Sequence, residues 1–106
     1  LAIHHFQRSG DLPVGVPFNM AQYGAFGLMI AEKLGYTLKE VVYTFSDVHI
    51  YESQYDKVKE LLDREPRRLG TVLLKSTCEN IKDYRPDDFV LRDYDPHPKM
   101  LIPTPV

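Results

Sequence analysis

Apolar side chains recur along this chain in distinct rhythms, and each rhythm predicts a different element. From Lys39 to Tyr51 they are nearly continuous and rich in Val, Tyr, Thr, Phe and Ile, types that fit a pleated surface. A period of two puts Val41, Tyr43, Phe45, Asp47, His49 and Tyr51 on one strand face, with Val42, Thr44, Ser46, Val48 and Ile50 on the other. Both faces are largely apolar, so a strand covered on both sides is expected. Between Met20 and Leu34 the spacing changes to three and four. Met20, Tyr23, Phe26, Gly27, Ile30 and Leu34 share a stripe, while Ala21, Ala25, Leu28 and Ala31 fill other faces. A helix is expected from Asn19, as its N-cap, to Leu34, with Gly35 as the stop. So much apolar surface calls for more burial than 106 residues comfortably supply.

Weaker signals complete the pattern. Leu1 to Phe6 reads as a short strand, followed by a loop in which Gly10, Pro13, Gly15 and Pro17 oppose regular helix. Ser53 and Asp56 form a possible capping box for a second helix. Its stripe is Tyr55, Val58, Leu61 and Leu62, and Pro66 ends it. Thr71 to Leu74 and Asp88 to Leu91 read as strands. The tail from Asp95 carries Pro96, Pro98, Pro103 and Pro105 and must be extended. The fold class is α/β or α+β, with a mixed sheet and one long buried helix in a single domain.

Charge and composition narrow the partners. Thirteen basic residues face 15 acidic ones without a basic block, so the counterion-displacing stripe that nucleic acid needs is missing. One nucleotide phosphate needs only one or two well-placed groups, and net charge says nothing against it. The single cysteine, Cys78, excludes an intrachain disulfide and makes a reducing, cytoplasmic compartment the default. The longest apolar stretch, Ala25 to Ala31, is too short to cross a bilayer. His4, His5 and His97 lack metal-ligand spacing, so no metal is expected.

Four segments carry a resemblance. Gln7-Arg8-Ser9-Gly10-Asp11-Leu12-Pro13-Val14-Gly15-Val16-Pro17-Phe18-Asn19 matches Q-R-S-x-D-x-x-x-G-x-P-F-N at every fixed position. Asp47-Val48-His49-Ile50-Tyr51 matches D-x-H-x-Y, and Arg64-Glu65-Pro66-Arg67 and Tyr94-Asp95-Pro96-His97-Pro98 follow in order. Together they resemble the thymidylate synthase family, with residues 1–106 corresponding to the C-terminal portion of its domain, a partial fold. The resemblance implies reductive methylation of dUMP to dTMP with 5,10-methylenetetrahydrofolate as co-substrate, in a homodimer.

The chemistry of the matched residues runs alongside. Arg8 and Ser9 offer a guanidinium and a hydroxyl, a natural phosphate clamp, or else a surface cation beside a loop-capping serine. Asn19 can pair with the O4 and N3–H edge of uracil, where an Asp would suit cytosine; its plain alternative is the N-cap. His49 and Tyr51 project from one strand face about 7 Å apart and can share a sugar hydroxyl, or serve as core residues. Asp11 can accept paired N–H bonds from a pterin ring, or shape a turn. Gly15 permits close backbone approach, and Val14 and Phe18 supply apolar walls.

The resemblance assigns Arg8, Ser9, Asp11, Asn19, His49 and Tyr51 to dUMP, and Asp11, Val14, Gly15, Phe18 and Val106 to folate. It puts the nucleophilic cysteine upstream of Leu1, so no catalytic residue is expected here and the isolated chain should be inactive. Cys78 has no local base and reads as structural. Gly10 stands where the family often has Cys, and Ser53 where it often has Asn. Two other readings remain open, a pyrimidine nucleotide hydroxymethylase and a non-catalytic nucleotide-binding or oligomerisation module.

Overall fold

The structure, a computed structural model, describes residues 1–105. A long strand, β1 (Ala2–Asp11), leads through a tight turn into a 20-residue helix, α1 (Gly15–Leu34), and on to a second strand, β2 (Glu40–His49). β1 and β2 lie parallel, in a register running from Ala2 opposite Glu40 to Asp11 opposite His49. Parallel neighbours need a crossover, and α1 supplies it. A 3-10 turn at Glu52–Gln54 opens α2 (Tyr55–Leu62). The short strands β3 (Thr71–Leu74) and β4 (Phe89–Arg92) then pair antiparallel. The chain is α+β, and its sheets are two separate pairs in place of one mixed sheet.

Several sequence expectations shift. β1 runs five residues past Phe6, because pairing with β2 satisfies its backbone as far as Asp11. α1 begins at Gly15, four residues before the expected N-cap, and takes Pro17 into its first turn. A proline there gives up an N–H that has no intrahelical partner anyway, so the Gly/Pro cluster starts the helix where it was expected to forbid one. Val14 occupies the N-cap position and makes no side-chain capping bond, and Asn19 lies inside the helix. Gly35 stops α1 as expected, in the left-handed conformation at φ 71°. Ser53 is not the cap of α2; that position falls to Gln54, and the helix ends at Leu62, ahead of Pro66.

Apolar burial is thin. Val16, Ala31 and Tyr84 are the buried apolar residues among those described, and Gln54 is the buried polar one. One face of the β1–β2 pair receives α1, where His5 stacks on Tyr23 at 3.8 Å and Tyr43 packs edge-on against both rings. Burial pushes the Tyr43 hydroxyl pKa up, and neighbouring Tyr23 adds to the effect. The other face is open: Phe6, Val42 and Val48 are exposed there, against the expectation of a strand covered on both sides. α1 is likewise apolar beyond its own contacts, with Phe18, Met20 and Phe26 exposed.

The tail from Asp95 is irregular, as its prolines require. It is held against the segment after α2. Arg64 Nη1 donates to the Pro98 carbonyl at 2.9 Å, Arg67 Nη1 donates to the Pro96 carbonyl at 2.9 Å, and His97 Nε2 meets the Glu65 carbonyl at 2.7 Å. The third and fourth sequence motifs therefore form one structural unit.

Candidate functional site

The candidate residues gather where β1 and β2 end. Pairing puts Ser9 opposite Asp47 and Asp11 opposite His49, and the Leu12 N–H continues the ladder to the His49 carbonyl at 2.9 Å. Beyond β2 the chain turns so that the His49 and Tyr51 rings meet edge to face with centroids 5.0 Å apart. Asp47 lies 3.4 Å from His49 Nδ1 and orients that ring from the side.

The start of α1 reaches the same corner. A Cβ placed on Gly15 would lie 3.6 Å from the Asp11 Cβ and 3.8 Å from Asn19 Oδ1, so Asp11, Gly15 and Asn19 are neighbours. Asn19 is fixed twice. Its carbonyl accepts the Tyr43 hydroxyl at 2.7 Å, and its Oδ1 accepts from Gln7 Nε2 at 3.0 Å. The Gln7 amide also donates to the Ser9 carbonyl at 2.9 Å, while its Oε1 is buried without a partner among the described residues. An orphaned acceptor at this position is the kind of group a ligand or water satisfies.

Asp11 is held from the other side by Gln54. Gln54 Nε2 donates to both carboxylate oxygens, at 3.1 and 3.2 Å, and to the Pro103 carbonyl at 2.8 Å. Gln54 Oε1 accepts the Tyr51 N–H at 3.0 Å. Sequence reasoning missed both glutamines. Gln7 sat inside a quoted motif and Gln54 beside one, but a glutamine at either place carries no chemistry until its partners are known.

Not every candidate joins this group. Side chains along β1 alternate between exposed and half-buried, and Arg8 falls in the exposed set with His4 and Phe6, while Gln7 and Ser9 fall in the other. Arg8 therefore leaves β1 on the face opposite Gln7 and Ser9. Phe18 is exposed and lines a groove of about 690 Å³ with Pro13, Pro17, Leu62 and Tyr94. Val14 leads into α1 beside Gly15, and Val106 lies outside the described residues. Cys78 is far along the chain, and burial, followed by the Asp88 charge, pushes its thiol pKa up, which suits an inert thiol. Among the described residues no cluster of three or more His, Cys, Asp or Glu could hold a metal ion.

The βαβ corner of this α+β chain thus gathers a carboxylate, an amide, an imidazole and a phenol around one strand end, polar groups of the kind that orient ligands in pockets. The thymidylate synthase family model matches residues 1–106. Thymidylate synthase from Malacoplasma penetrans (strain HF-2) is 44% identical over 98 residues, covering 92% of this chain and 34% of that relative. The chain belongs to the thymidylate synthase family, and the match spans about a third of the relative's length.

Proposed function

We propose that the intact protein carrying this chain methylates dUMP to dTMP, with 5,10-methylenetetrahydrofolate as donor of the one-carbon unit and the hydride. The observation that carries the reading is the gathering of Asp11, Asn19, His49 and Tyr51 at one corner of a family member. Asn19 recognises the base. With Gln7 donating to its Oδ1, the amide has one orientation: the free lone pair of Oδ1 takes the uracil N3–H, and Nδ2 donates to O4. Cytosine would set its unprotonated N3 against that oxygen and its amino group against Nδ2, two mismatched contacts.

His49 and Tyr51 hold the sugar hydroxyl, Ser9 and Arg8 the phosphate, and Asp11 a second contact close to the nucleotide. On the folate side Asp11 accepts from the pterin ring, with Val14, Gly15 and Phe18 around it, and the family resemblance adds Val106 to the folate residues. A thiolate from outside these 106 residues adds to C6 of the uracil, which makes C5 nucleophilic toward the donor's one-carbon unit. Residues of this chain orient the two ligands and exclude water, an entropic contribution. The isolated chain then shows no synthase turnover. The open face of β1 and β2, with Phe6, Val42 and Val48 exposed, favours pairing of two copies into a homodimer.

Nucleotide titrations of the intact protein test the reading. Asn19→Asp should weaken dUMP binding by about tenfold or more and narrow or reverse the preference over dCMP, since one mismatched buried polar contact costs about 1–3 kcal/mol. Unchanged discrimination in a folded variant would remove Asn19 from the base. Product analysis, methyl against hydroxymethyl, separates the synthase from a hydroxymethylase.

A further inference from the structure

Gln54 is fully buried, and its side chain joins three separate parts of the chain. Its Nε2 faces the Asp11 carboxylate at the end of β1 and the Pro103 carbonyl in the tail, 49 residues further on. Its Oε1 receives the Tyr51 N–H. A primary amide has two N–H donors, and here they serve two acceptors, one of them charged. The Asp11 carboxylate gains a donor that fixes its rotation without neutralising it, and the tail gains a buried anchor. Among the described residues no other side-chain hydrogen bond ties the tail to β1, since Arg64 and Arg67 hold it to the segment after α2.

We propose that Gln54 is a positioning residue that ties the tail to the pterin-binding carboxylate, so that docking of residues 99–105 and alignment of Asp11 occur together. The folate half of this statement rests on the proposed role of Asp11; the tail half rests on the hydrogen bonds alone. One substitution separates the functions of the amide. Gln54→Glu keeps an acceptor for the Tyr51 N–H and replaces both donors by an oxygen, which then confronts the Asp11 carboxylate and the Pro103 carbonyl. Gln54→His keeps one ring N–H as a donor.

The test uses the intact protein and three measurements: dUMP affinity, KM for 5,10-methylenetetrahydrofolate, and hydrogen–deuterium exchange of the segment 99–105 without ligand. Gln54→Glu should raise the folate KM about tenfold or more, as loss of the charge-assisted bond to Asp11 implies, and speed tail exchange about fivefold, while dUMP affinity, to which Asp11 adds one contact among several, falls by clearly less than the folate KM rises. Gln54→His, with its one donor, should recover part of the loss at Asp11 or at the tail relative to Gln54→Glu. A structural defect alone would weaken dUMP binding in step with the rest. If Gln54→Glu does not fold, Gln54→Met, which also lacks donors, must show the same contrast with Gln54→His. Tail exchange equal to the parent's in a donor-less variant overturns the proposal. An Asp11→Asn variant with unchanged folate KM would instead overturn the role of Asp11, leaving the tail result to stand by itself.

Discussion

At the scale of single residues, the site depends on side chains whose importance lies in what they hold. Asn19 was legible as a chemical candidate, yet its orientation comes from Gln7, and no periodicity reveals that a glutamine twelve residues away donates to it. Asp11 and Gln54 form the same kind of pair across 43 residues. Gly10 illustrates a different cause. The alternation along β1 ends there, where the residue is buried, and an added Cβ would meet Val16 Cγ2 at 2.9 Å and the Phe45 ring at 3.1 Å. Gly10→Val should therefore destabilise the protein by about 1–3 kcal/mol through overpacking, read by denaturant unfolding of the intact protein. Stability equal to the parent's would show that the turn into α1 yields where the present packing says it cannot.

Among the elements, those with a strong rhythm were readable and their ends were not. The long helix, its left-handed stop at Gly35 and the strand centred on Val41 to Val48 follow from spacing and side-chain type. The start of α1 did not, because Pro17 and Gly15 are helix-breaking in mid-helix but acceptable in a first turn, and sequence alone does not say which turn they occupy. The extension of β1 was hidden for a related reason: Gln7 to Asp11 is polar, and only its pairing with β2 makes it a strand.

The segment leading into β4 supports a pH prediction at this scale. Asp88 accepts hydrogen bonds from the Ser76 hydroxyl and from the Arg85 N–H, which hold its carboxyl below the usual range. A depressed carboxyl contributes fully above its ordinary value and loses that contribution as pH falls through the lower folded value. The Arg85 amide should keep its exchange protection from neutrality through the ordinary carboxyl range and lose it selectively only at more acidic pH, below that range. Equal protection factors on both sides of that range would dissociate Asp88 from this turn.

For the whole molecule, a polar corner at the ends of β1 and β2 stands beside much open apolar surface. Phe6, Val42 and Val48 lie exposed on one sheet face and Phe26 on α1, and an apolar cleft of about 520 Å³ is lined by Tyr23, Phe26, Met29 and Phe89. Sequence reasoning anticipated the excess of apolar surface and expected both faces of β2 to be covered, whereas these residues cover one. The chain matches about a third of its relative's length, and under the proposed function these surfaces would meet the rest of the intact protein and a second copy. Arg8 belongs to the same question. Sequence reasoning grouped it with Asn19, whereas the alternation along β1 sets it among the exposed residues.

The most direct measurement is a crystal structure of the intact protein grown with dUMP. It should show the uracil N3–H and O4 on the Asn19 amide, the sugar hydroxyl between His49 and Tyr51, and the Gln7–Asn19 bond retained. A nucleotide bound elsewhere, or one whose base leaves Asn19 without a contact, would contradict the account.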